Sequence, residues 1–252
     1  MTNVPDDLIG ALRAAHRVMV FTGAGVSAES GLPTFRDKLT GLWERFAAED
    51  LATPEAYRRD PELVWGWYEW RRARMLRAQP NAAHRVIAAL ADRVPKLTLV
   101  TQNVDDLHER AGSSGVIHLH GELNRPYCSS CGHAHDPGIG IPDEPDGGRR
   151  LAPPRCTGCG APIRPGVVWF GESLPQRALQ GAFDAAAACD FLFVIGTSGL
   201  VMPAAQIPAR ALQAQAKVVE INPAPMLRRA HWAIAQAAGE AMAAVFERFC
   251  AE

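Results

Sequence analysis

The chain has 252 residues, of which 48% are hydrophobic and 21% charged, and this composition predicts a globular protein with one large domain or a large and a small one. The formal net charge of −1 argues against nucleic acid or an anionic membrane surface as a partner. No apolar run approaches the ~20 residues that span a bilayer, and residues 1–7 resemble neither a signal peptide nor a transit peptide. We therefore expect a cytoplasmic protein that binds no nucleic acid and no membrane.

The first chemical motif follows the first predicted strand, Val18 to Phe21, where the chain enters a glycine-rich turn and a polar helix start. Gly23, Gly25 and Ala28 fit the dinucleotide spacing G-x-G-x-x-G/A, in which glycines let the backbone approach a pyrophosphate. Glycines after a strand are also common in ordinary turns. A long loop containing Arg36 follows, and not the prompt second strand of a dehydrogenase unit. This order indicates a cofactor that is consumed or bound in an unusual way, and not a hydride shuttle.

Further stretches of mostly continuous hydrophobicity predict buried strands over residues 96–101, 116–119, 191–195 and 217–221. Ala-rich helical patterns lie between several of them, over residues 82–91, 178–188 and 204–216. Strands of this kind that alternate with helices are typical of a parallel sheet covered on both faces. The predicted fold class is therefore α/β, with a Rossmann-like parallel sheet.

Four of the six cysteines form two C-x-x-C knuckles, Cys128 with Cys131 and Cys156 with Cys159, about 25 residues apart. Tetrahedral Zn²⁺ takes four soft ligands and each knuckle supplies two, so the spacing predicts one structural zinc ion. Disulfides are unfavourable in a reducing compartment, and a redox C-x-x-C motif would need only one pair.

Two segments interrupt the alternation of strands and helices. Residues 38–79 are helical and rich in Trp, Tyr and Arg, whereas residues 125–164 are rich in Pro and Gly and contain the cysteine knuckles. We interpret them as insertions that together form a smaller helical and zinc-binding domain. The Rossmann-like, dinucleotide-binding domain would then be discontinuous, over residues 1–37, 80–124 and 165–252.

Polar residues follow the predicted strands, and they comprise Gln102, Asn103, Asp105, His120, Gly196, Thr197, Ser198 and Asn222. Because the carboxyl ends of parallel strands meet at one edge of a sheet, we expect these residues to form a single ligand-binding rim with the glycine turn. Asn103 and Asp105 fit hydrogen bonds to a ribose or a carboxamide. They fit helix caps equally well.

His120 is the best candidate for proton transfer, because the pKa of histidine lies near the working pH of most enzymes. An ordinary structural role is the alternative. His118 alternates with His120 along the strand, and the two rings could share the cleft. His108 and His84 lie in helical patterns, where packing or capping roles are expected.

Several of these motifs occur together in one known family. They are Gly23 to Gly31 with Thr34 to Arg36, Thr101 to Asp105, His120 to Glu122, the two cysteine knuckles, Val168 to Glu172, Gly196 to Ser198, and Asn222. Their order, from about residue 8 to about residue 249, resembles that of a sirtuin. Gly166 is a departure, because sirtuins often carry His at this place.

The resemblance implies an NAD-dependent protein-lysine deacylase. In sirtuins the acyl oxygen of the modified lysine attacks the ribose C1′ carbon and nicotinamide leaves. The histidine that matches His120 then acts as general base on the ribose hydroxyls, and the products are free lysine, nicotinamide and an O-acyl-ADP-ribose. The implied substrates are acylated protein lysines, bound as extended peptides.

The resemblance also assigns residues to the two substrates. The implied NAD contacts are Gly23, Ala24, Gly25, Ser27, Ala28, Phe35, Arg36, Gln102, Asn103, Asp105, Gly196, Thr197, Ser198, Asn222 and, as a weaker match, Ala238. The implied peptide contacts lie in a strand that includes Val168, Phe170, Gly171 and Glu172, with a second segment near residues 199–202.

Tyr68 and Arg71 stand at positions i and i+3 of a predicted helix, and therefore on one face. They resemble the Tyr-x-x-Arg signature of class III sirtuins, which remove succinyl, malonyl or glutaryl groups, and an Arg fork suits a carboxylate. Ala48 would leave room for the larger acyl group. Alternatively, Arg71 belongs to a solvated basic face and Tyr68 packs against tryptophans.

The expected activity of the protein is the removal of succinyl and malonyl groups, as well as acetyl groups, from lysine. The alternative functions are a plain deacetylase, a mono-ADP-ribosyltransferase, or an NAD-sensing binding module.

Overall fold

The computed structural model describes residues 2–34, 44, 46–138 and 140–251. The strands are β1 Val18–Thr22, β2 Leu97–Thr101, β3 Ile117–His118, β4 Tyr127–Cys128, β5 Ile163–Arg164, β6 Phe191–Ile195, β7 Lys217–Ile221 and β8 Trp232–Ile234. The α-helices are α1 Asp6–Arg13, α2 Ala48–Leu51, α3 Pro54–Arg59, α4 Pro61–Arg77, α5 Ala82–Ala91, α6 Leu107–Arg110, α7 Gln176–Ala188, α8 Ile207–Gln213 and α9 Ala238–Cys250.

One parallel sheet dominates the described part of the chain. Six strands pair in the order β3-β2-β1-β6-β7-β8, and every pairing is parallel. This confirms the predicted Rossmann-like α/β fold and the five predicted strands. The edge strand β8 was not predicted, because its three residues are too few to show a hydrophobic run.

The central strand β1 shows how the sheet is covered on both faces. Val18 and Val20 pack into a core formed with α1, α5 and α9, whereas Met19 and Phe21 pack into a core formed with α7 and α8. Successive side chains of a strand point to opposite faces, so a continuous apolar strand needs helices on both sides. Burying a side chain such as Phe21, which is fully buried, contributes roughly 2–3 kcal/mol.

The chain after β1 differs from the predicted helix start. Two short 3₁₀ turns, Ala24–Val26 and Ala28–Ser30, take its place. Glycine and serine are poor helix formers, and Gly31 ends the second turn with φ +80°. The backbone therefore stays close to the sheet edge. The pattern over residues 204–216 also divides, into a 3₁₀ turn at Ala204–Gln206 and α8.

Helices α2 to α4 form a separate hydrophobic cluster with Leu123, Val167 and Trp169. The Thr53 side chain caps the start of α3, because its hydroxyl accepts a hydrogen bond from Ala56 N at 3.1 Å. We retain the predicted boundaries of the smaller domain, 38–79 and 125–164, as a proposal. None of the helices in the described ranges has the length and apolar character needed to cross a bilayer.

Two glycines allow the segments before and after the zinc-binding region to cross in close contact. Glu122 N donates to Gly166 O at 2.8 Å, and Val168 N donates to His120 O at 2.8 Å. A Cβ atom on Gly121 would overlap Gly166 O, and one on Gly166 would overlap Arg125 O and lie 2.7 Å from Glu122 O. The absence of a side chain at residue 166 therefore brings His120 beside the 168–172 segment.

We predict that Gly166→Ala destabilises the protein by about 2 kcal/mol, because the added methyl group has no space at the crossing. Gly181→Ala is the matched control: its Cβ would lie 3.6 Å from Ile117 Cδ1, an ordinary contact within α7. Replacing a helical glycine with alanine should stabilise by roughly 0.5–1 kcal/mol. Urea unfolding followed by circular dichroism measures both, and equal midpoints for Gly166→Ala and wild type would contradict the close crossing.

Candidate active site

A cleft of about 590 Å³ opens at the carboxyl ends of the parallel strands. One wall consists of the residues that follow β1, β2, β3, β6 and β7. The opposite wall consists of α4 and the 167–172 segment. From the predicted site, the cleft brings together Gly23, Ala24, Gly25, Ser27, Tyr68, Arg71, Gln102, Asn103, Asp105, His120, Val168, Phe170, Gly171, Glu172, Gly196, Thr197, Ser198 and Asn222.

The turns after β1 and β6 pack backbone against backbone. Gly23 N donates to Ile195 O at 2.9 Å, and Gly25 N donates to Gly196 O at 2.8 Å. A Cβ atom on Gly25 would lie only 2.7 Å from Gly196 Cα. Thr197 connects this edge to two other strand ends, because its hydroxyl accepts from Gln102 Nε2 at 2.7 Å and its carbonyl accepts from Asn222 Nδ2 at 2.9 Å.

Ser27 lies at the centre of a buried polar network. Its hydroxyl donates to Asp105 Oδ2 at 3.0 Å and accepts from Asn103 Nδ2 at 3.1 Å. Asp105 Oδ1 also accepts from Leu107 N at 3.2 Å, so this carboxyl lines the cavity and bonds to the first residue of α6 at the same time. Burial raises the pKa of Asp105 above its ordinary value, although the hydrogen bonds from Leu107 and Ser27 oppose the rise.

His84 and His108 lie beneath this network and have structural roles, as expected. Their ring centroids are 4.8 Å apart, and both side chains are buried. His84 Nδ1 accepts from Asn81 N at 3.3 Å, which completes a capping box at the start of α5. Burial lowers the pKa of His84 to about 4 and that of His108 well below its ordinary value. Both rings are therefore neutral at physiological pH.

His120 and His118 have different hydrogen-bond environments despite their spacing. His120 Nδ1 lies 2.9 Å from Gln102 O; since a carbonyl only accepts, this nitrogen carries a proton, and in the neutral ring Nε2 keeps its lone pair. Burial lowers the pKa of His120, although the Gln102 carbonyl opposes the shift. His118 instead donates to Asn103 O and to Glu109 Oε1, at 3.1 and 2.8 Å. Burial lowers the pKa of His118, but its ion pair with Glu109 outweighs this and raises it above the ordinary value.

Tyr68 and Arg71 lie on the opposite wall of the same cavity, and Arg71 is not on a solvated helix face. The guanidinium carbon of Arg71 lies 4.9 Å from the centroid of the Trp67 ring and 5.5 Å from that of Tyr68. The Tyr68 hydroxyl accepts a hydrogen bond from Trp169 Nε1 at 3.1 Å. Burial raises the pKa of Tyr68 to about 12, against the effect of the nearby Arg71 charge. The phenol is therefore protonated at neutral pH.

The four cysteines converge beside the antiparallel pair of strands β4 and β5. Their Sγ atoms all lie within 4.8 Å of one another, and contacts of 3.4 Å (Cys128 to Cys159) and 3.7 Å (Cys131 to Cys156) connect the two knuckles. A zinc ion bound at ~2.3 Å to four thiolates separates the sulfurs by about 3.8 Å. The donor set and its spacing therefore fit one structural zinc ion.

A family model for the Sir2 family matches residues 23–203. The chain belongs to the Sir2 family. It is 59% identical over 239 residues to an NAD-dependent protein deacylase of Methylococcus capsulatus, covering 94% of each chain. It is 58% identical over 222 residues to NAD-dependent protein deacylase 1 of Pseudomonas aeruginosa, covering 88% of this chain and 89% of the relative.

Solved Sir2 structures share the fold. A Sir2 homologue–NAD complex superimposes with a TM-score of 0.90 at 41% identity, covering 98% of this chain and 94% of the other. A Sir2 complex with a p53 peptide and NAD⁺ superimposes with a TM-score of 0.82 at 29% identity, covering 96% and 97%. These matches confirm the resemblance on which the site assignment depends.

Some residues of the predicted Sir2 site lie elsewhere. Ala28 is exposed on the second 3₁₀ turn outside the cavity, because that turn leads away from the sheet edge. Ala238 is buried at the start of α9, in the core beneath β1. Ala48 is buried in the α2–α4 cluster, and Ala52 lines the cavity in its place. Phe35 and Arg36 lie outside the described residues.

The Val168–Glu172 segment lines the cavity but forms no strand. Val168 N bonds to His120 O, and Phe170 N bonds to Ala52 O at 2.9 Å, so two different segments hold its backbone. Within the segment, sequence reasoning missed the cavity-lining Trp169, although the matched motif contained it. Met75, one turn after Arg71 on α4, was missed because it reads as an ordinary core residue.

We predict one zinc ion per chain and its loss in Cys131→Ser. The exposed Cys131 side chain contributes little packing, so the substitution removes one ligand selectively. Metal-binding free energy is also folding free energy, and we expect the melting temperature to fall by about 10 °C. Metal analysis and thermal unfolding measure both effects. Cys250→Ser, also at an exposed cysteine, should keep the zinc, and a full zinc content in Cys131→Ser would contradict the site.

Proposed function

We propose that the protein is an NAD-dependent protein-lysine deacylase that removes succinyl and malonyl groups, and also acetyl groups, from acylated lysines of proteins. The products are free lysine, nicotinamide and an O-acyl-ADP-ribose. One observation carries the proposal: an imidazole with an available lone pair (His120), a buried carboxyl (Asp105) and a tyrosine–arginine pair (Tyr68 and Arg71) line one cavity. The relatives named NAD-dependent protein deacylase support the coarser part of this assignment.

The described residues fit NAD as the co-substrate. The cavity has glycine turns at its base and polar side chains at the ends of four further strands, which is the arrangement that binds dinucleotides in parallel α/β sheets. NAD supplies a ribose carbon that becomes electrophilic as nicotinamide departs. The residues that would hold it are Gly23, Ala24, Gly25, Ser27, Gln102, Asn103, Asp105, Gly196, Thr197, Ser198 and Asn222.

The proposed catalytic residue is His120, acting as general base. Its Nδ1 proton is bonded to Gln102 O, so the Nε2 lone pair is the one available to accept a ribose hydroxyl proton. The lowered pKa keeps the ring neutral and basic at physiological pH. His118 cannot share this role, because both of its ring nitrogens donate to oxygen atoms of the protein.

Asp105 and Asn103 are proposed to hold the ribose and nicotinamide. Breaking the glycosidic bond develops positive charge on the ribose, and a carboxylate held in a buried, preorganised position stabilises such charge. The Ser27 hydroxyl orients both residues, because it donates to Asp105 and accepts from Asn103. A zinc ion held by Cys128, Cys131, Cys156 and Cys159 would be structural and would take no part in these steps, because none of these cysteines lines the cavity.

Acyl selection is assigned to Tyr68 and Arg71. A guanidinium binds a carboxylate through charge-assisted hydrogen bonds, and a protonated tyrosine can donate one more. The peptide itself would lie along Val168, Phe170, Gly171 and Glu172, where binding through the backbone requires little sequence preference. A plain deacetylase and a mono-ADP-ribosyltransferase would share the NAD residues, but neither gives these two side chains a role. The free thiols of the zinc site agree with the proposed cytoplasmic location.

We predict that Arg71→Met raises the KM for a succinyl-lysine peptide by about 100-fold, because a charge-assisted contact to the acyl carboxylate is lost. Deacetylation of the same peptide should change less than about threefold, since an acetyl group has no carboxylate. Steady-state kinetics with matched acetyl, succinyl and malonyl peptides measure this. Arg77→Met, at an exposed position later in α4 and outside this cavity, is the control. Equal loss for all three acyl groups would remove the proposed specificity.

We predict that kcat/KM has an acidic limb with a midpoint below 6.5. The neutral form of His120 is the active base, so activity is lost as pH falls through its pKa, which lies below the ordinary histidine value. His120→Asn should lower the rate by about 10³-fold, whereas His118→Asn should keep the acidic limb in place. A wild-type limb centred above 6.5 would be inconsistent with this assignment.

A further inference from the structure

Trp169 connects the zinc-binding region to the acyl end of the cavity. Its side chain is 3% exposed, lines the cleft, and lies between the rings of Tyr57 and Tyr68, at centroid distances of 5.2 and 6.4 Å. Its indole nitrogen lies 3.1 Å from the Tyr68 hydroxyl. The contacts that position this indole therefore also position the phenol.

Arg164 and Glu172 hold Trp169 in place. Arg164, in β5 directly after Ile163, donates to both carboxylate oxygens of Glu172, at 2.6 and 2.8 Å. Its guanidinium carbon lies 3.6 Å from the centroid of the Trp169 ring, and Trp169 N donates to Glu172 Oε2 at 2.8 Å. Burial raises the pKa of Glu172, but Arg164 and the Trp169 N–H outweigh this and lower it. The Glu172 carboxylate is therefore ionised at neutral pH, and it accepts from Arg164 and from the Trp169 backbone at the same time.

The direction of the Trp169–Tyr68 hydrogen bond determines what the phenol can do. An indole nitrogen only donates, so the Tyr68 oxygen is the acceptor and its own hydrogen is directed to another group. Tyr68 lines the cavity beside Arg71, whose guanidinium lies 5.5 Å from the phenol ring. A carboxylate bound to Arg71 would meet that phenol hydrogen.

We propose that Trp169 is a specificity-determining positioning residue: its indole N–H orients the Tyr68 hydroxyl as a donor toward the carboxylate of an acidic acyl group held by Arg71. The proposal rests on the acyl specificity put forward above and adds a residue to it. Trp169 acts through Tyr68 and forms no bond to the acyl carboxylate itself. Its removal should therefore affect acidic acyl groups and leave acetyl groups alone.

Trp67 supplies a matched control on the same wall. Its ring lies 4.7 Å from that of Tyr68, and it is buried like Trp169. Its Nε1 atom, however, has no hydrogen-bond partner among the described residues. Replacing either tryptophan with phenylalanine removes a similar volume, but only Trp169→Phe removes an indole N–H that bonds to Tyr68.

The test measures kcat and KM for one peptide carrying succinyl-lysine or acetyl-lysine, with wild type, Trp169→Phe, Trp67→Phe, Tyr68→Phe and the Tyr68→Phe/Trp169→Phe double variant. We expect Trp169→Phe to raise the desuccinylation KM by about tenfold and to leave kcat and deacetylation within about twofold. Trp67→Phe keeps an aromatic ring beside the Arg71 guanidinium and should change the ratio of the two activities far less than Trp169→Phe does. In the Tyr68→Phe background, Trp169→Phe should add nothing, because its effect passes through the missing hydroxyl.

The outcomes separate the two proposals. A wild-type enzyme that does not prefer succinyl-lysine overturns the acyl specificity, and this inference with it. A wild-type enzyme that prefers succinyl-lysine, together with an unchanged ratio in Trp169→Phe or an added loss in the double variant, overturns the inference alone. Arg164→Lys is a second probe if Trp169→Phe folds poorly: it keeps the charge beside Glu172 but loses the planar fork, and should raise the desuccinylation KM more than the deacetylation KM.

Discussion

The close crossing of the chain at Gly121 and Gly166 is the contact on which the site depends. The sheet presents His120 at the end of β3, and the 168–172 segment comes from the far side of the zinc-binding region. Without side chains at the crossing, the two backbones approach closely enough for Glu122 N to bond to Gly166 O and for Val168 N to bond to His120 O. The proposed base and the proposed peptide wall are therefore held at a fixed separation by main-chain atoms alone.

Burial then sets the charge of each titratable group in the cleft. Desolvation lowers the pKa values of three histidines, His84, His108 and His120. The pKa of His118 is raised instead, because its ion pair with Glu109 outweighs the desolvation. Asp105 is buried as well, but Ser27 and the Leu107 N–H supply hydrogen bonds that favour its ionised form. The strand-end rim thus contains a neutral base, His120, and a hydrogen-bonded carboxyl group, Asp105. Proton transfer needs the base, and the positive charge that develops on the ribose needs a nearby carboxylate.

The sequence predicted the parallel sheet, the polar strand ends and the cysteine cluster, because each depends on a local pattern with a direct physical cause. Ala28 and Ala238 matched the expected NAD-contact positions in sequence alone. In the structure Ala28 lies on the second 3₁₀ turn and Ala238 lies at the buried start of α9, and neither lines the cavity. Spacing alone could not exclude His118 from the cleft beside His120, since it cannot show that Glu109 lies 2.8 Å from His118. Trp169 was missed for a similar reason: only the fold brings its indole nitrogen to Tyr68, 101 positions earlier.

The proposed cofactor chemistry and the proposed acyl selection involve different parts of the chain, and this division explains why a remote metal site would matter to the cleft. The sheet carries the proposed NAD residues and His120. Tyr68 and Arg71 come from α4, and the proposed orientation of Tyr68 depends on Trp169, which contacts Arg164 of β5. Because β5 pairs with β4 beside the four cysteines, a shift of β5 would move both the Arg164–Glu172 ion pair and the indole. The proposed NAD contacts at the strand ends involve none of these four side chains. Substitutions at Tyr68, Arg71, Trp169 or Arg164 would therefore alter acyl preference and leave the proposed NAD-binding residues in place.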